Sequence, residues 1–446
     1  MFSYSRFYAN LGLLWFGFLI VATLITGCQI TNGNAPSSPV PAESSASSSG
    51  NTSGQLAYIG ADGNIYVTAA GQSSTIAITG DATTYWEGPG LSYQRVSWSP
   101  AGQLAYAAVS RSGDEASSKL YVVETPGQPP RVVGQSDDHF VIYIYWSPAL
   151  CAAGPNCRQL TYLIEEDENI GLRLVKMDGA NLENEVIGRG WPYYYSWSAD
   201  GSSILWHTGA RYQENGAAHI AHYTLDRGET EVLPHIPASF MAPVWSPQGD
   251  SWLAVTTTSG ADYLQLFSPE ETVTLSTVPE GGAAFVWSPD GSRVAYALKK
   301  SEDRSFYDPI HLFDVNTGDS RQLTDNTLRV VAFFWDPAGQ RLGYLTQISM
   351  PNDIQWMQWR VYDPANNRDR GFKIFNPSLQ MKFVMSSFSQ YAQSHRFWSP
   401  DGRYLVYARR DELSRNEQIL LVDTWAEDGN TAIYIGDGTM GFWSWK

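Results

Sequence analysis

The carboxylate and histidine side chains that could do acid–base or metal chemistry occur in three short runs. Asp138 and His139 are neighbours, and with the preceding aspartate they could form a base or a metal cluster. The acidic run 165–168 could offer oxygen ligands to calcium, but it lacks the spaced D-x-D-x-D-G pattern of a calcium loop. His219 and His222 are an odd number of residues apart, so in a strand they point to opposite faces. We interpret the first two runs as exposed loops, and we predict no catalytic residue, no metal and no cofactor.

Aromatic side chains provide a second candidate surface. The run WPYYYSW at 191–197 could form a stacking platform for a sugar or a peptide, and the alternative is that its rings pack between sheets. Loops expected at the same end of the molecule add polar groups. The predicted ligand face consists of Trp86, Asp138, His139, Trp191, Tyr193, Tyr194, Arg329 and His395.

The three cysteines occur in two different contexts. Cys28 ends an apolar stretch, whereas Cys151 and Cys157 form a C-x5-C pair in CAAGPNC. Two cysteines cannot complete a four-ligand zinc site, and the pair lacks the C-x-x-C spacing of redox motifs. Outside the cytoplasm we expect a structural disulfide between Cys151 and Cys157, with free thiols as the alternative.

The N-terminal residues are predicted to be an export signal. Residues 11–25 are apolar, which matches the h-region of a signal peptide and is short for a membrane-spanning helix. The following Thr-Gly-Cys resembles the end of a bacterial lipobox; an ordinary signal peptide is the alternative. That resemblance implies removal of residues 1–27 and lipid attachment at Cys28, which would anchor the protein to a membrane outside the cytoplasm. Residues 28–54 are predicted to be a Ser/Pro/Gly-rich flexible linker before a folded domain at 55–446.

Composition indicates the class of the folded part. The 446 residues are 43% hydrophobic and 13% aromatic, which is enough for a large core, and only 17% are charged. Frequent Gly and Pro between short apolar runs disfavour long helices and favour an all-β fold. The formal net charge of −16 argues against a phosphate-backbone binder, so we expect no nucleic-acid partner.

One repeated phrase, Trp-Ser-Pro-x-Gly, indicates the architecture. Eight tryptophans, 42 to 63 residues apart, begin this phrase or a variant of it: Trp98, Trp146, Trp197, Trp245, Trp287, Trp335, Trp398 and Trp443. An apolar strand precedes each phrase, and turn residues with further short strands follow most of them. This period is typical of the four-stranded blade of a β-propeller.

The folded region starts and stops in the middle of a repeat. The segment 54–58 matches 102–106, which follows a Trp-Ser-Pro phrase, and the sequence ends just after Trp443. We therefore predict that the N-terminal strands pair with the C-terminal strand and close the ring. The predicted fold is an all-β, eight-bladed propeller, with seven blades as the alternative if one unit is degenerate.

The longest spacing, between Trp335 and Trp398, contains an insertion. Pro377-Ser378 and the apolar residues that follow at helical spacing predict a short helix. Because this segment leads into an innermost strand, we expect it to lie over the candidate ligand face. It would act there as a lid or partner-docking element, or it would pack passively.

The WSPDG turns and the aliphatic–aromatic strands after them resemble those of TolB-type propellers built from WD40-like repeats. The resemblance covers residues 55–446 and implies the propeller fold. TolB-like proteins carry an α/β domain before the propeller, where this sequence has a linker. Prolyl-oligopeptidase-like proteins add a hydrolase domain, and no G-x-S-x-G nucleophile motif occurs in this sequence.

Together these observations predict a monomeric lipoprotein of the bacterial envelope that binds or scaffolds a protein or peptide partner without catalysis. Two alternatives remain open. One is a metal-dependent enzyme of the sugar-lactonase or glycan-lyase kind at the channel mouth. The other is a carbohydrate-binding surface built on Trp191, Tyr193 and Tyr194.

Overall fold

The structure, a computed structural model, describes residues 54–70, 74–84, 89–113, 115–151, 154, 156–166, 168–209, 218–238, 240–349, 355–427 and 432–446. Trp86, Cys28, the predicted signal peptide and all but the last residue of the predicted linker lie outside these ranges. Within them, no helix is long and apolar enough to cross a bilayer.

Short apolar runs separated by turn residues form antiparallel strands throughout the described residues. The first three are β1 (Leu56–Gly60), β2 (Ile65–Thr68) and β3 (Ile76–Ala77). Six four-stranded sheets follow, each built from consecutive strands: β4 (Gly90–Trp98), β5 (Leu104–Ser112), β6 (Glu115–Val123) and β7 (Arg131–Ser136); β8 (Val141–Trp146), β9 (Cys157–Glu166), β10 (Asn169–Asp178) and β11 (Asn181–Gly190); β12 (Tyr193–Trp197), β13 (Ser203–Thr208), β14 (His219–Thr224) and β15 (Glu229–Val232); β16 (Val244–Trp245), β17 (Trp252–Thr258), β18 (Ala261–Phe267) and β19 (Thr272–Val278); β20 (Ala283–Trp287), β21 (Arg293–Leu298), β22 (His311–Asp314) and β23 (Ser320–Gln322); β24 (Val330–Trp335), β25 (Leu342–Ser349), β26 (Gln355–Asp363) and β27 (Arg368–Phe375).

A seventh, six-stranded sheet closes the ring. It contains β28 (Tyr404–Arg410), β29 (Glu417–Asp423) and β30 (Ala432–Trp443) in the order β28-β29-β30-β1-β2-β3. The predicted closure is confirmed, because Leu56 of β1 pairs with Trp443 of β30. The described residues therefore form a β-propeller of seven sheets, the alternative that the sequence left open. The eighth repeat is not a separate sheet because the 12-residue β30 pairs with β29 along its first half and with β1 along its second half.

Four of the eight repeated tryptophans join their unit to the one before it through an indole hydrogen bond to the backbone. Trp98 and Trp146 are buried at the ends of innermost strands, and their indole N–H groups donate across the seam to a backbone carbonyl at 3.1 Å. Each acceptor is the residue just before the preceding unit's tryptophan. Such bonds run from Trp98 to Phe442, from Trp146 to Ser97, from Trp287 to Val244 and from Trp398 to Phe334.

The turn after each tryptophan is fixed by its own polar residues. In the fifth unit, the Ser288 hydroxyl donates to Asp290 Oδ1 at 2.5 Å and accepts from the Arg293 N–H at 2.9 Å. Gly291 has φ +68°, and a Cβ there would lie 1.9 Å from Oε1 of Gln248 in the neighbouring turn. The left-handed backbone favours glycine at this position, whereas the Gln248 side chain could shift to make room for a Cβ.

Two segments depart from the repeat. Cys151 lies on the connection between β8 and β9 and Cys157 is the first residue of β9, with Cα atoms 5.3 Å apart, as the expected disulfide requires. The insertion before Trp398 forms two helices, α1 (Leu379–Ser386) and α2 (Phe388–Ser394). Ser378 caps α1 by accepting the Met381 N–H at 3.0 Å, so the helix begins where the sequence predicts.

Candidate functional site

The two helices lie inside the ring of innermost strands. Helix α2 contacts β8, β12, β20 and β24, and α1 contacts β24, β28 and β30. They leave the sheet where the innermost strand of the last full repeat is interrupted: Pro377 bridges to Arg409 on one side, and Trp398 bridges to Leu405 on the other. We call residues 379–394 the plug, because they fill the channel at the end where the innermost strands begin.

One glutamine bonds the plug to the channel wall. The Oε1 atom of Gln390 accepts the Tyr195 N–H at 2.9 Å, and its Nε2 donates to the Tyr195 carbonyl at 2.7 Å. The same Nε2 donates to the Tyr143 hydroxyl oxygen at 3.1 Å. An amide offers a donor and an acceptor on adjacent atoms, so Gln390 pairs with β12 as a neighbouring strand would.

Aromatic packing supports the same contact. Phe388 is buried, and its ring centroid lies 5.1 Å from that of Phe333 and 5.7 Å from that of Tyr307. Met381 and Val384 on α1 are also buried. The plug is therefore bound through both apolar area and hydrogen bonds.

His395, predicted on the ligand face, lies at the base of the plug and is buried. Its Nε2 is 3.1 Å from the Val96 carbonyl, which can only accept, so Nε2 carries the proton. Nδ1 then accepts from the Ser394 hydroxyl at 2.6 Å, and Ser394 in turn accepts from the Tyr143 hydroxyl. Burial lowers the pKa of His395 to about 3, so the ring is neutral at physiological pH.

The predicted aromatic platform packs largely inward. Tyr193 is 1% exposed and its ring lies 5.8 Å from that of Trp206. Tyr194 is partly buried, stacks on Phe240 at 4.5 Å and donates to the Ser387 hydroxyl of the plug at 3.5 Å. Trp191 is partly buried against the main core. For Tyr193, the structure shows a ring packed in the interior and not an exposed stacking platform.

Arg329 lies apart from these residues at the start of β24. Its guanidinium is 5.1 Å from the Phe306 ring, and it donates to the Ser349 hydroxyl at 2.6 Å. Asp138 is exposed on the loop between β7 and β8.

His139 is the one residue of the predicted ligand face that lines an open cavity of about 690 Å³ on the sheet β8–β11. We call it the charged groove. Its lining consists of His139, Glu166, Glu168, Asn169, Arg173 and Arg189. It brings together His139 of the β7–β8 loop, Glu166 and Glu168 of the acidic run and Arg189 at the end of β11.

Glu166 is the centre of the charged groove. It accepts from Arg189 Nε at 2.7 Å and lies 3.5 Å from Arg173 Nη2. A Cβ on Gly171, which pairs with Arg189, would lie 2.6 Å from Glu166 Oε1, so this glycine leaves space for the carboxylate. At the preceding residue, burial raises the pKa of the Glu165 carboxyl. The nearby His139 and Arg111 act in the opposite direction and lower it, but burial is the larger effect.

Metal-binding geometry does not occur in the described part of the chain: no group of three or more His, Cys, Asp or Glu side chains there could hold an ion. The groove instead presents both carboxylate and guanidinium groups to solvent. Such a surface can recognise charged side chains of a partner.

Sequence reasoning missed Arg173 and Gln390. The pairing of Glu166 with Arg173 and Arg189 follows from the register of β9 and β10, in which Glu166 pairs with Asn169. The sequence therefore contained a signal that could have placed Arg173 beside Glu166. For Gln390 there was none, because a single polar residue in an amphipathic segment does not tell which strand it contacts.

Comparison with known proteins finds a similarity of fold alone. No protein-family model matches the chain, and no curated protein matches it. Among solved structures, TolB from Acinetobacter baumannii is 14% identical, with 75% of this chain and 81% of that chain covered and a TM-score of 0.38. A structure from an analysis of two prolyl endopeptidases is 12% identical, with 80% of this chain and 50% of that chain covered and a TM-score of 0.52.

A puromycin-hydrolyzing peptidase of Mycobacterium tuberculosis is 15% identical, with 78% of this chain and 53% of that chain covered and a TM-score of 0.49. The chain thus spans about half the length of the two peptidases it matches. At these identities the similarity is one of fold. The match at a TM-score of 0.52 agrees with the β-propeller assignment.

Proposed function

We propose that this chain is a lipid-anchored, extracytoplasmic β-propeller that binds a protein or peptide partner at the charged groove, without catalysing a reaction. The observation that carries the proposal is the groove itself, an open cavity of about 690 Å³ with Glu166 held between two arginines. Because the plug fills the adjacent end of the channel, the accessible ligand surface lies outward, on the loops of the β8–β11 sheet.

The chemistry of the groove favours a protein partner over a sugar. Sugar sites use exposed aromatic faces, and Tyr193 is buried while Tyr194 stacks on Phe240. Guanidinium and carboxylate groups together suit a partner surface that carries both signs of charge. The expected monomeric state leaves this groove free for a different protein.

A site-specific crosslinking experiment tests the groove. A photo-crosslinking amino acid replaces Glu168 in the groove or, as a control, Glu270 on the exposed turn between β18 and β19. We expect a discrete protein adduct from position 168 in intact cells and none from position 270. Identical adducts from both positions, or no protein adduct from 168, would remove the proposal.

Charge reversal sharpens the test. Arg189→Glu places a second acid beside Glu166, so we expect the adduct from position 168 to fall about tenfold or more, with slower association at low salt. The matched control is Arg227→Glu on the exposed turn between β14 and β15. An unchanged adduct in Arg189→Glu contradicts binding through the groove.

The lipid anchor is proposed from the sequence, since Cys28 lies outside the described residues. We expect Cys28→Ala to move the protein from the membrane fraction to the soluble fraction, because the acyl chains supply the membrane affinity. Ser45→Ala in the linker should leave the protein in membranes. Retention of unacylated Cys28→Ala in membranes, shown by mass spectrometry, contradicts the anchor.

A further inference from the structure

A second cavity lies at the opposite ends of the innermost strands, where the turns after Trp335 and Trp398 meet the end of the chain. Its volume is about 170 Å³. Its lining consists of Pro337, Arg396, Trp398, Pro400, Ser444 and Trp445. It is separate from the charged groove, which lies on the sheet β8–β11 at the opposite end of the propeller.

Arg396 supplies the charge in this cavity. Its guanidinium carbon lies 3.8 Å from the centroid of the Trp445 ring, and Trp445 is held by an indole hydrogen bond to the Trp98 carbonyl at 3.0 Å. Among the described residues, no carboxylate forms an ion pair with Arg396, and its guanidinium donates no hydrogen bond. Tyr145 is the titratable group that faces it, and burial raises the pKa of that phenol, which therefore stays neutral.

Two other arginines near the Trp-Ser-Pro turns form ion pairs, and a third donates a hydrogen bond to the backbone. Arg341 bonds to Asp336 at 3.1 Å, Arg403 bonds to Asp423 at 2.6 Å, and Arg293 donates to a backbone carbonyl at 2.6 Å. Burial lowers the pKa of Arg396 to about 10, so it is still charged at neutral pH. A cation that is partly buried without an acid is costly unless an anion joins it.

We propose that this cavity binds a small carboxylate with a short apolar tail. The planar guanidinium fork of Arg396 matches the two oxygens of a carboxylate, whereas Trp398, Pro337 and Pro400 offer apolar walls to the tail. The Ser444 hydroxyl is already engaged with the Lys446 carbonyl at 2.6 Å and the Gln55 N–H at 2.9 Å. The cavity volume of about 170 Å³ leaves room for a ligand larger than a single water molecule.

Titration of the full chain in detergent tests the site. Butyrate is compared with butyramide, its uncharged isostere, and with sulfate, by calorimetry and by tryptophan fluorescence, because Trp398 and Trp445 line the cavity. We expect saturable binding of butyrate and at least tenfold weaker binding of butyramide and sulfate. No saturable butyrate binding, or equal binding of all three, overturns the proposal, and this comparison needs no variant.

Variants then locate the site. Arg396→Gln should weaken butyrate binding at least tenfold while the circular dichroism spectrum is unchanged, and the exposed Arg321→Gln of β23 should have no effect. Arg189→Glu in the charged groove should also leave butyrate binding intact, which separates this site from the proposed function. Equal affinity in Arg396→Gln and the wild type overturns the assignment.

The source of the carboxylate is distinguished with peptides. Both a free acid and the C-terminus of a peptide carry the required group. A tripeptide ending in valine that binds at least tenfold more tightly than butyrate, and loses this on C-terminal amidation, indicates a peptide end. Tighter binding of butyrate indicates a free acid. Binding of the amidated tripeptide as tight as that of the free one contradicts recognition of its carboxylate.

Discussion

His395 is a neutral histidine buried between the plug and the channel wall, and this makes the fold sensitive to acid. In the folded protein burial lowers the pKa of His395 to about 3, and that of His207 to about 4. Unfolded histidines titrate near pH 6.5. At pH values between the folded and the unfolded pKa, these histidines are protonated in the unfolded chain and neutral in the folded chain. The stability is therefore complete above about pH 6.5 and is lost as pH falls towards the folded pKa.

We expect the free energy of unfolding to fall between pH 6.5 and 4 by about 1.4 kcal/mol per pH unit for each such histidine. Urea unfolding at pH 7 and pH 5 measures this. His395→Gln should show a smaller difference between the two pH values than the wild type. His139→Gln, in the open groove, is the control for loss of a histidine. Equal pH dependence in His395→Gln and the wild type would contradict the assignment.

At the scale of elements, Gln390 gives the plug its hydrogen bonds to the backbone of β12, where a neighbouring strand would otherwise pair. Gln390→Ala leaves the Tyr195 N–H and carbonyl without partners in a buried site, so we expect a loss of about 2–4 kcal/mol in the free energy of unfolding or release of the plug. Denaturant unfolding and limited proteolysis around residues 379–394 measure the two outcomes.

Gln393→Ala is the matched control for this change. It alters the same residue type on the same helix, and Gln393 is only partly buried. We expect its effect to be within about 0.5 kcal/mol of the wild type, as for ordinary surface changes. Similar effects of the two substitutions would show that the Gln390 contacts are not special.

The elements differ in how far the sequence could predict them. The Trp-Ser-Pro phrases predict the ends of the innermost strands, because a bulky ring followed by a Pro–Gly turn is typical of the point where a strand ends. The place of the plug could not be predicted, since helical spacing marks an apolar face without naming its partner. Leu379, the first apolar residue after Ser378, is 62% exposed.

The candidate site also contains parts that the sequence could predict and parts that it could not. The acidic run and the His139 loop were recognised, but their meeting with Arg189 depends on the register of β9, β10 and β11. Tyr193 was placed on the ligand face because its run precedes a strand. In the structure the strand already begins at Tyr193, and alternation then points this ring into the core.

At the scale of the molecule, the ring depends on a contact between its two ends. The Trp98 indole donates to the Phe442 carbonyl, and the Ser444 N–H donates to the Gln55 carbonyl at 2.7 Å. In an open ring, strands β1 and β30 would expose unpaired edges. We therefore expect the cooperative stability of the propeller to depend on the six-stranded sheet.

Proline substitution tests this seam. Ala57 is fully buried in β1 and pairs with Phe442 on one side and Val67 on the other. Ala57→Pro removes a strand N–H and adds a steric clash, so we expect a loss of about 3 kcal/mol or more and a lower denaturant midpoint for the whole domain. The matched control is Ile76→Pro in β3, which is 40% exposed at the outer edge of the same sheet and should cost much less. If ring closure supports every blade, near-UV circular dichroism and tryptophan fluorescence will shift together in Ala57→Pro, because the repeated tryptophans lie at every seam. A transition confined to one probe, or equal midpoints for the two variants, would show that the blades are stable independently of closure.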